Sequence, residues 1–174
     1  CTPHIYDLNE YIGTGIHEMT ICVSNVGYKT KGGHLTSPDT QTNWNGITGR
    51  IELIGYKNAH AENVMLWCDI HSKTVRVTAN ITGGKSGKAV ISAESFNSEK
   101  NHTPAVQSFE YTNGKLDALY KMGDDCLLWS EHEPNLYKLK IDIDGDVSEH
   151  IIGMREFRTE GGKFTINGEK TFLR

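Results

Sequence analysis

The chain has 174 residues, of which 37% are hydrophobic, and its 18 basic and 22 acidic residues give a net charge of -4 at pH 7. Charges of both signs are interspersed, so no basic stripe marks a nucleic-acid partner, and no apolar run approaches the roughly 20 residues that a membrane helix requires. No charged and then apolar leader opens the sequence. These features predict a soluble chain with room for one or two domains and with neither a nucleic-acid nor a membrane partner.

The first third of the chain carries few secondary-structure signals. Residues 7–12 fit one helical turn with Asp7 as its N-cap, and residues 19–23 and 50–56 are predicted strands on either side of a polar loop, 27–45. Two or three strands are marginal in water. We therefore expect that further strands precede this part, or that it packs on a neighbouring domain or on another copy of the chain.

Strand periodicity dominates the remainder of the chain. Apolar residues recur at every second position in three segments: Val64, Leu66, Cys68 and Ile70; Val75, Val77, Ala79 and Ile81; and Leu139, Ile141 and Ile143. Asn113-Gly114 and Asp144-Gly145 predict tight hairpins, and a glycine-rich segment, 83–87, separates two further predicted strands. Some seven short strands at this spacing predict an all-β fold, a β-sandwich.

Four cysteines, Cys1, Cys22, Cys68 and Cys126, could pair in three ways, but their wide spacing is not that of a small disulfide scaffold. Cys22 and Cys68 fall in apolar strand patterns, which favours buried free thiols. Cysteine usage alone leaves the compartment open.

A series of short motifs follows in a fixed order along the chain. They are Asp7-Leu8-Asn9 with Ile21-Cys22-Val23-Ser24-Asn25, Trp44-Asn45-Gly46-Ile47 with Arg50-Ile51-Glu52-Leu53, Leu128-Trp129-Ser130 with Pro134-Asn135-Leu136-Tyr137, Gly153-Met154-Arg155, and Asn167-Gly168-Glu169-Lys170 with Phe172-Leu173-Arg174. Their order resembles glycoside hydrolase family 2, the family of β-galactosidases, β-glucuronidases and β-mannosidases. In place of the family's Arg after the Ile, Gly49 stands here and Arg50 follows one position later.

The resemblance implies an immunoglobulin-like β-sandwich preceded by part of a jelly-roll sandwich. It assigns residues 1–57 to the end of the jelly-roll sugar-binding domain, 58–158 to the sandwich, and 159–174 to a hairpin that leads into a catalytic barrel absent from this chain. The implied parent is a retaining, β-galactosidase-like glycosidase without a cofactor, and its paired carboxylates, about 5 to 5.5 Å apart, belong to the barrel. The fragment alone is then inactive.

The same resemblance implies carbohydrate and the chain's own barrel as partners, with a homo-oligomer possible. We expect a bacterial protein of the periplasm or the extracellular space.

Three other segments contain side chains typical of catalytic, metal or phosphate sites, but each has a simpler interpretation. Glu131 and Glu133 flank His132, but Pro134 and the polar run favour a solvated loop over an acid and base pair. No metal site is predicted, because Cys68 and His71 lack a second ligand pair and Asp142, Asp144 and Asp146 lack the glycine and glutamate of a calcium loop. Residues 83–89 lie between strands, which excludes a phosphate loop.

One loop, 34–45, has a plausible sugar-binding composition. Sugars are held by planar hydrogen-bonding side chains beside an aromatic face, and Asp39, Gln41, Asn43, Trp44 and Asn45 supply that combination. The resemblance places the matching loop at the rim of the active site, so Asp39, Asn43 and Trp44 are the predicted substrate-binding residues. The alternative is that Trp44 caps the jelly-roll core and the polar residues form turns.

Three functions remain open from the sequence. The first is the non-catalytic sandwich portion of a glycosidase, the second an independent carbohydrate-binding module that uses the 34–45 loop, and the third an adhesive or spacer sandwich. Trp129 and Tyr137 are assigned to the sandwich core and its edge, Trp67 to a strand face or a domain interface, and Arg155 to structural support.

Overall fold

The computed structural model describes residues 3–24 and 46–173. The chain divides into two compact units, Cys1–Ile54 and Gly55–Arg174. The predicted sugar-binding residues Asp39, Asn43 and Trp44, and Cys1, lie outside the described residues.

The second unit is built from β-strands alone. In chain order they are β1 (His60–Asp69), β2 (Thr74–Thr82), β3 (Ser86–Ser95), β4 (Gln107–Thr112), β5 (Lys115–Lys121), β6 (Tyr137–Ile143), β7 (Asp146–Ile152), β8 (Phe157–Glu160), β9 (Lys163–Ile166) and β10 (Glu169–Lys170). The all-β prediction is confirmed.

The first seven strands form a sandwich, although their hydrogen bonds run in the continuous order β1-β2-β5-β4-β3-β6-β7. The link between β5 and β4 is a single residue pair, Thr112 with Lys115, beside the hairpin turn. Beyond that pair the strands separate into a three-stranded layer, β1-β2-β5, and a four-stranded layer, β4-β3-β6-β7. The core lies between the layers and is formed by inward residues such as Val75, Val77, Ile91 and Ile141, each fully buried.

Gln107 substitutes for backbone pairing at the end where the layers separate. Its side-chain amide donates to the Lys121 carbonyl at 2.8 Å, and its side-chain oxygen accepts from the Lys121 N–H at 3.1 Å. A carboxamide offers the same donor and acceptor as a peptide group. Gln107 therefore connects β4 and β5 where their main chains do not pair.

The turns match the glycine and asparagine signals. Asn113 and Gly114 have φ of 53° and 67°, and Asp144 and Gly145 have φ of 51° and 86°. Two successive positive φ values define the type I′ turn that suits a two-residue hairpin, so both predicted hairpins are confirmed. Residues 83–85 join β2 to β3, which lie in different layers, while Ser86 and Gly87 already belong to β3.

Strand β1 is an edge of the three-stranded layer and is interrupted by a bulge. Its register with β2 shifts between Glu62 and Met65, and Asn63 has a φ of 50°. Bulges bend an edge strand away from further pairing. The inward residues Val64, Leu66 and Cys68 still pack against the core, as their period of two predicts.

Tyr137 stabilises the corner between β5 and β6 from the start of β6. Its ring is fully buried, and its hydroxyl accepts a hydrogen bond from the Leu127 N–H at 2.8 Å. A tyrosine at this place, bonded back to the preceding connection, is a feature of immunoglobulin-like sandwiches. The His102 ring nitrogen Nδ1 lies 2.7 Å from the same hydroxyl, and burial raises the pKa of Tyr137 well above its usual value.

The last three strands form a separate small sheet in the order β10-β9-β8. The predicted hairpin between 163 and 172 is confirmed as β9 and β10, with Asn167 and Gly168 at φ of 52° and 82°. Strand β8 pairs with β9 and was not predicted. It spans the domain boundary that the sequence placed between residues 158 and 159, so Phe157 and Arg158 belong to the same small sheet as the hairpin.

Residues 3–24 and 46–56 differ from prediction in their strands. Asp7 accepts the Asn9 N–H at 2.9 Å, and Tyr11 and Ile12 donate to the Leu8 carbonyl, so the predicted turn is present. The predictions of strands at 19–23 and 50–56 are wrong, because neither segment is hydrogen-bonded as a strand. Their apolar side chains are exposed, among them Met19, Ile21, Val23, Ile51 and Leu53. A period of two marks strand-forming side chains, but a strand requires a partner strand.

Among the described residues, no helix is long and apolar enough to cross a membrane.

Candidate functional site

The predicted carboxylate candidates lie on an exposed turn. Glu133 donates its backbone N–H to the Ser130 hydroxyl at 2.9 Å, while Ser130 donates its own N–H to the Glu133 carbonyl at 2.9 Å. The Glu131 carboxylate lies 3.6 Å from His132, and both side chains are mainly exposed. These contacts close a solvated turn and do not orient the two carboxylates toward a common point.

Asp142 lies in β6, Asp144 in the turn after it, and Asp146 at the start of β7. The Asp142 carboxylate accepts the Gly145 N–H at 2.8 Å, an arrangement that stabilises the turn. Within residues 3–24 and 46–173, no three His, Cys, Asp or Glu side chains come together to hold a metal ion.

A cluster of hydrogen-bonded side chains and backbone groups lies where the sandwich meets the small sheet. We call it the junction and define it by Trp129, Gly153, Arg155, Glu156 and Asn167. Trp129 precedes β6, Gly153, Arg155 and Glu156 follow β7, and Asn167 lies in the turn after β9. Three parts of the chain that are distant in sequence therefore meet at one place.

Trp129 forms the apolar half of the junction. Its side chain is partly buried, its backbone N–H donates to the Met154 carbonyl at 2.9 Å, and the Arg155 guanidinium carbon lies 4.6 Å from the ring centroid. That distance is typical of a cation–π contact. Gly153 passes so close that an added Cβ would lie 3.1 Å from three Trp129 atoms, which accounts for glycine at this position.

Asn167 forms the polar half of the junction through three hydrogen bonds. Its side-chain amide donates to the Trp129 carbonyl at 2.8 Å, its side-chain oxygen accepts the Glu156 N–H at 2.8 Å, and its own N–H donates to the Glu156 carbonyl at 2.9 Å. The positive φ of Asn167 is one that asparagine adopts more readily than most residues. One side chain thus fastens the hairpin to both the sandwich and the connection from β7.

The Glu156 carboxylate adds charge contacts to the junction. It lies 2.7 Å from the Arg158 guanidinium and 3.5 Å from the His71 ring in the turn between β1 and β2. The Glu156 side chain is mostly buried. It therefore links that turn to the first residues of the small sheet.

Sequence reasoning identified only part of this cluster. It assigned Trp129 and Arg155 to structural support and Asn167 to a turn, but the contacts of Glu156, His71 and the Asn167 side chain were missed. The signal available was the asparagine itself, because a glycine would also satisfy the turn but would lack the carboxamide, whose donor and acceptor can bond two backbone groups at once.

Two cysteines lie partly buried near the junction. Burial raises the pKa of Cys68 to about 11, with the neighbouring Cys126 thiol adding to the shift, and burial also raises the pKa of Cys126. Cys22, Cys68 and Cys126 are free thiols. The prediction of a buried free thiol holds in part for Cys68 and is wrong for Cys22, which is exposed because the segment around it forms no strand.

A sandwich of three and four strands with a tyrosine-stabilised corner and a fastened C-terminal hairpin defines the class of protein as an immunoglobulin-like β-sandwich module. The family model of glycosyl hydrolases family 2 matches residues 59–155, more than half of the chain. The chain belongs to this family, as the order of its motifs predicts.

Two curated relatives are β-galactosidases. The one from Leuconostoc mesenteroides subsp. mesenteroides is 23% identical over 188 residues, covering 99% of this chain and 18% of the relative. The one from Clostridium acetobutylicum is 23% identical over 162 residues, covering 90% of this chain and 18% of the relative. The chain thus spans less than a fifth of the length of these relatives. Among solved structures, the β-glucuronidase of Faecalibacterium prausnitzii matches with a TM-score of 0.49 and 17% identity, covering 64% of this chain and 17% of that one.

Proposed function

We propose that this chain is the non-catalytic β-sandwich portion of a glycoside hydrolase that cleaves O-glycosyl bonds, and that it supports and shapes the active site of a separate catalytic barrel. The observation that carries the proposal is the junction. Its bonds fix the direction in which the small sheet leaves the sandwich.

The chemistry of the described residues fits a supporting role. Retaining hydrolysis requires two carboxylates about 5 to 5.5 Å apart, and the Glu131 and Glu133 side chains are spread over a solvated turn. The polar groups of the junction, in contrast, form hydrogen bonds and ion pairs with one another. Such mutual satisfaction rigidifies a structure and leaves little reactivity.

The small sheet offers a surface on which a barrel would pack. The rings of Phe157 and Phe164 stack with centroids 5.3 Å apart, yet they remain 50% and 41% exposed. Phe172 is 67% exposed, with the Lys170 ammonium 4.6 Å from its ring centroid. Exposed aromatic clusters of this kind mark packing surfaces. We propose the barrel as the partner of this surface.

The names of the curated relatives favour a β-galactoside as the substrate of the parent enzyme, and the family resemblance favours a retaining mechanism. Asp39, Asn43 and Trp44 remain proposed sugar contacts at the rim of that active site. Replacing Trp44 with alanine in the parent enzyme should raise KM if the ring contacts the substrate.

The test of the supporting role uses the parent enzyme with Asn167→Gly, which keeps the positive φ and removes the carboxamide. We expect kcat/KM to fall about tenfold or more, because a misplacement of about 1 Å can cost about a hundredfold in rate. Gly55→Ala is the matched control, since an added Cβ there meets nothing within 4 Å. An unchanged kcat/KM in Asn167→Gly would contradict the proposal.

A further inference from the structure

The outer surface of the three-stranded layer carries an exposed tryptophan among apolar and charged neighbours. We call it the Trp67 face and define it by Met65, Trp67, Arg76, Asp117 and Leu119. Trp67, Met65 and Leu119 are 48%, 55% and 54% exposed. In register, Trp67 lies opposite Arg76, and Arg76 opposite Leu119. The five side chains therefore form one contiguous patch across β1, β2 and β5.

Arg76 is fixed in the middle of this patch. Its guanidinium donates two hydrogen bonds to the Asp117 carboxylate, at 2.9 and 2.7 Å, and its central carbon lies 5.8 Å from the Trp67 ring centroid. The pairing holds the pKa of Asp117 below its usual range. Because both side chains are more than half exposed, the pair adds little to stability. Its effect is to hold a planar donor group and a carboxylate beside an indole ring.

The opposite surface of the sandwich provides an internal comparison. There, Phe96 is 43% exposed and the Lys138 ammonium lies 5.3 Å from its ring centroid, with the Glu149 carboxylate 4.0 Å from the same ammonium. A lysine is a point charge on a flexible stem, whereas an arginine presents a rigid planar fork. Only the Trp67 face combines an indole ring with a doubly bonded planar pair among the described residues.

We infer that the Trp67 face is a binding surface for a neutral oligosaccharide. Sugar C–H groups pack on the indole ring, while neighbouring hydroxyls donate to the free lone pairs of Asp117 and accept from the remaining N–H groups of Arg76. The Arg76 charge is already balanced by Asp117, which favours neutral sugars over uronic acids.

The size and order of the patch suit an oligosaccharide. Neighbouring strands lie about 4.8 Å apart, so Trp67 and Leu119, two strands apart, span about 10 Å, enough for more than one sugar ring. Met65 and Leu119 extend the apolar strip on either side of the polar pair. Because Arg76 and Asp117 are held in place before a ligand arrives, binding orders few side chains. All five residues of this surface belong to the second unit.

The test is an NMR titration of the isotopically labelled chain with neutral galacto- and manno-oligosaccharides and with a glucuronide, each at millimolar concentration. The indole N–H signals of Trp44, Trp67 and Trp129 are assigned by single Trp→Phe replacement. We expect saturable shifts of the Trp67 indole N–H and of the Arg76 and Asp117 amides with a neutral oligosaccharide, and at least tenfold weaker binding of the glucuronide.

Four variants give the controls. Trp67→Ala and Asp117→Asn should abolish saturation, whereas Phe96→Ala, the matched aromatic of the opposite surface, and Trp44→Ala should retain it. Trp67, Phe96 and Asp117 are all more than two-fifths exposed, and amide spectra check that each of the four variants is folded. Absence of shifts, shifts confined to Trp44, or equal affinity for the glucuronide would overturn the inference. It would also fail if Trp67→Ala abolished a concentration-dependent self-association, because the surface would then be an interface between copies of the chain.

Discussion

The side-chain amide of Asn167 donates to the backbone carbonyl of Trp129 at 2.8 Å across 38 residues of sequence. The bond joins a hairpin turn of the small sheet to the loop that precedes β6 in the sandwich. The oxygen of the same carboxamide accepts the Glu156 N–H. A single side chain therefore joins the small sheet to the sandwich and to the segment that follows β7.

Replacing Asn167 with glycine should loosen the small sheet in the isolated chain. Glycine tolerates the positive φ, so the lost carboxamide is the main change, and two backbone groups lose their partners at a cost of about 1–3 kcal/mol. Hydrogen exchange should speed up at the Glu156 and Thr165 amides and stay unchanged at Val77 in β2. Equal protection in variant and wild type would show that the carboxamide does not hold the sheet.

Adding a single methyl group at Gly153 should disturb the Trp129 ring. In Gly153→Ala the new Cβ would lie 3.1 Å from Trp129 atoms, and relieving such a contact costs about 1–3 kcal/mol. We expect a lower free energy of unfolding in urea and a changed near-ultraviolet circular dichroism from the displaced indole. Gly55→Ala, with nothing within 4 Å of the added Cβ, should leave both measurements as they are. A stable Gly153→Ala variant would show that the loop shifts freely.

Removing the Tyr137 hydroxyl should destabilise the sandwich more than removing that of Tyr120. The Tyr137 hydroxyl accepts the Leu127 N–H, lies 2.7 Å from His102 and also interacts with the Cys126 thiol, whereas the Tyr120 hydroxyl donates to the Ala105 carbonyl at 3.1 Å and interacts with the Ala93 backbone. We expect Tyr137→Phe to lower the free energy of unfolding by about 1–3 kcal/mol. Chemical denaturation of both variants measures the difference. The role assigned to Tyr137 would be wrong if Tyr120→Phe were the less stable of the two.

The sequence predicted those features that depend on neighbouring residues. Asn113-Gly114 and Asp144-Gly145 contain their own turn chemistry, and the period of two in β2 and β6 identifies the buried face. Strand β8 was missed because its four residues are all exposed and show no alternation of buried and exposed positions. The side-chain hydrogen bonds of Asn167 were not predicted, because its partners lie 11 and 38 residues away in the sequence. The 19–23 segment has strand chemistry but pairs with no strand among residues 3–24 and 46–173, and no local pattern reveals whether a partner is present.

Cys68 should resist alkylation in the folded chain. The thiolate is the reactive form, and burial raises the pKa of Cys68 to about 11, so the thiol stays protonated at neutral pH. With Cys1 replaced by serine, iodoacetamide should modify the exposed Cys22 well before Cys68, as mass spectrometry of peptides can measure. Modification of Cys68 at the rate of Cys22 would contradict the burial of this thiol.

The same thiol predicts a loss of stability at alkaline pH. The pKa of Cys68 is higher in the folded chain, at about 11, than its ordinary value of 9.0. The contribution of Cys68 to the free energy of unfolding is therefore complete below pH 9. It is lost as the pH rises from 9 toward 11, because the unfolded chain releases the proton first. Cys68→Ala should show a smaller decrease of unfolding free energy over this range. An equal decrease in both proteins would assign the alkaline loss to other groups.

The most direct test of the supporting role is turnover by the isolated chain. Purified protein at high concentration is incubated with nitrophenyl β-galactoside, β-glucuronide and β-mannoside, and release of nitrophenol is followed for hours. We predict that the chain is folded and that, with each of the three substrates, nitrophenol is released no faster than in the absence of protein. Turnover that rises with protein concentration and is lost in a Glu131→Gln, Glu133→Gln double variant would contradict it, because the chain would then contain its own catalytic carboxylates.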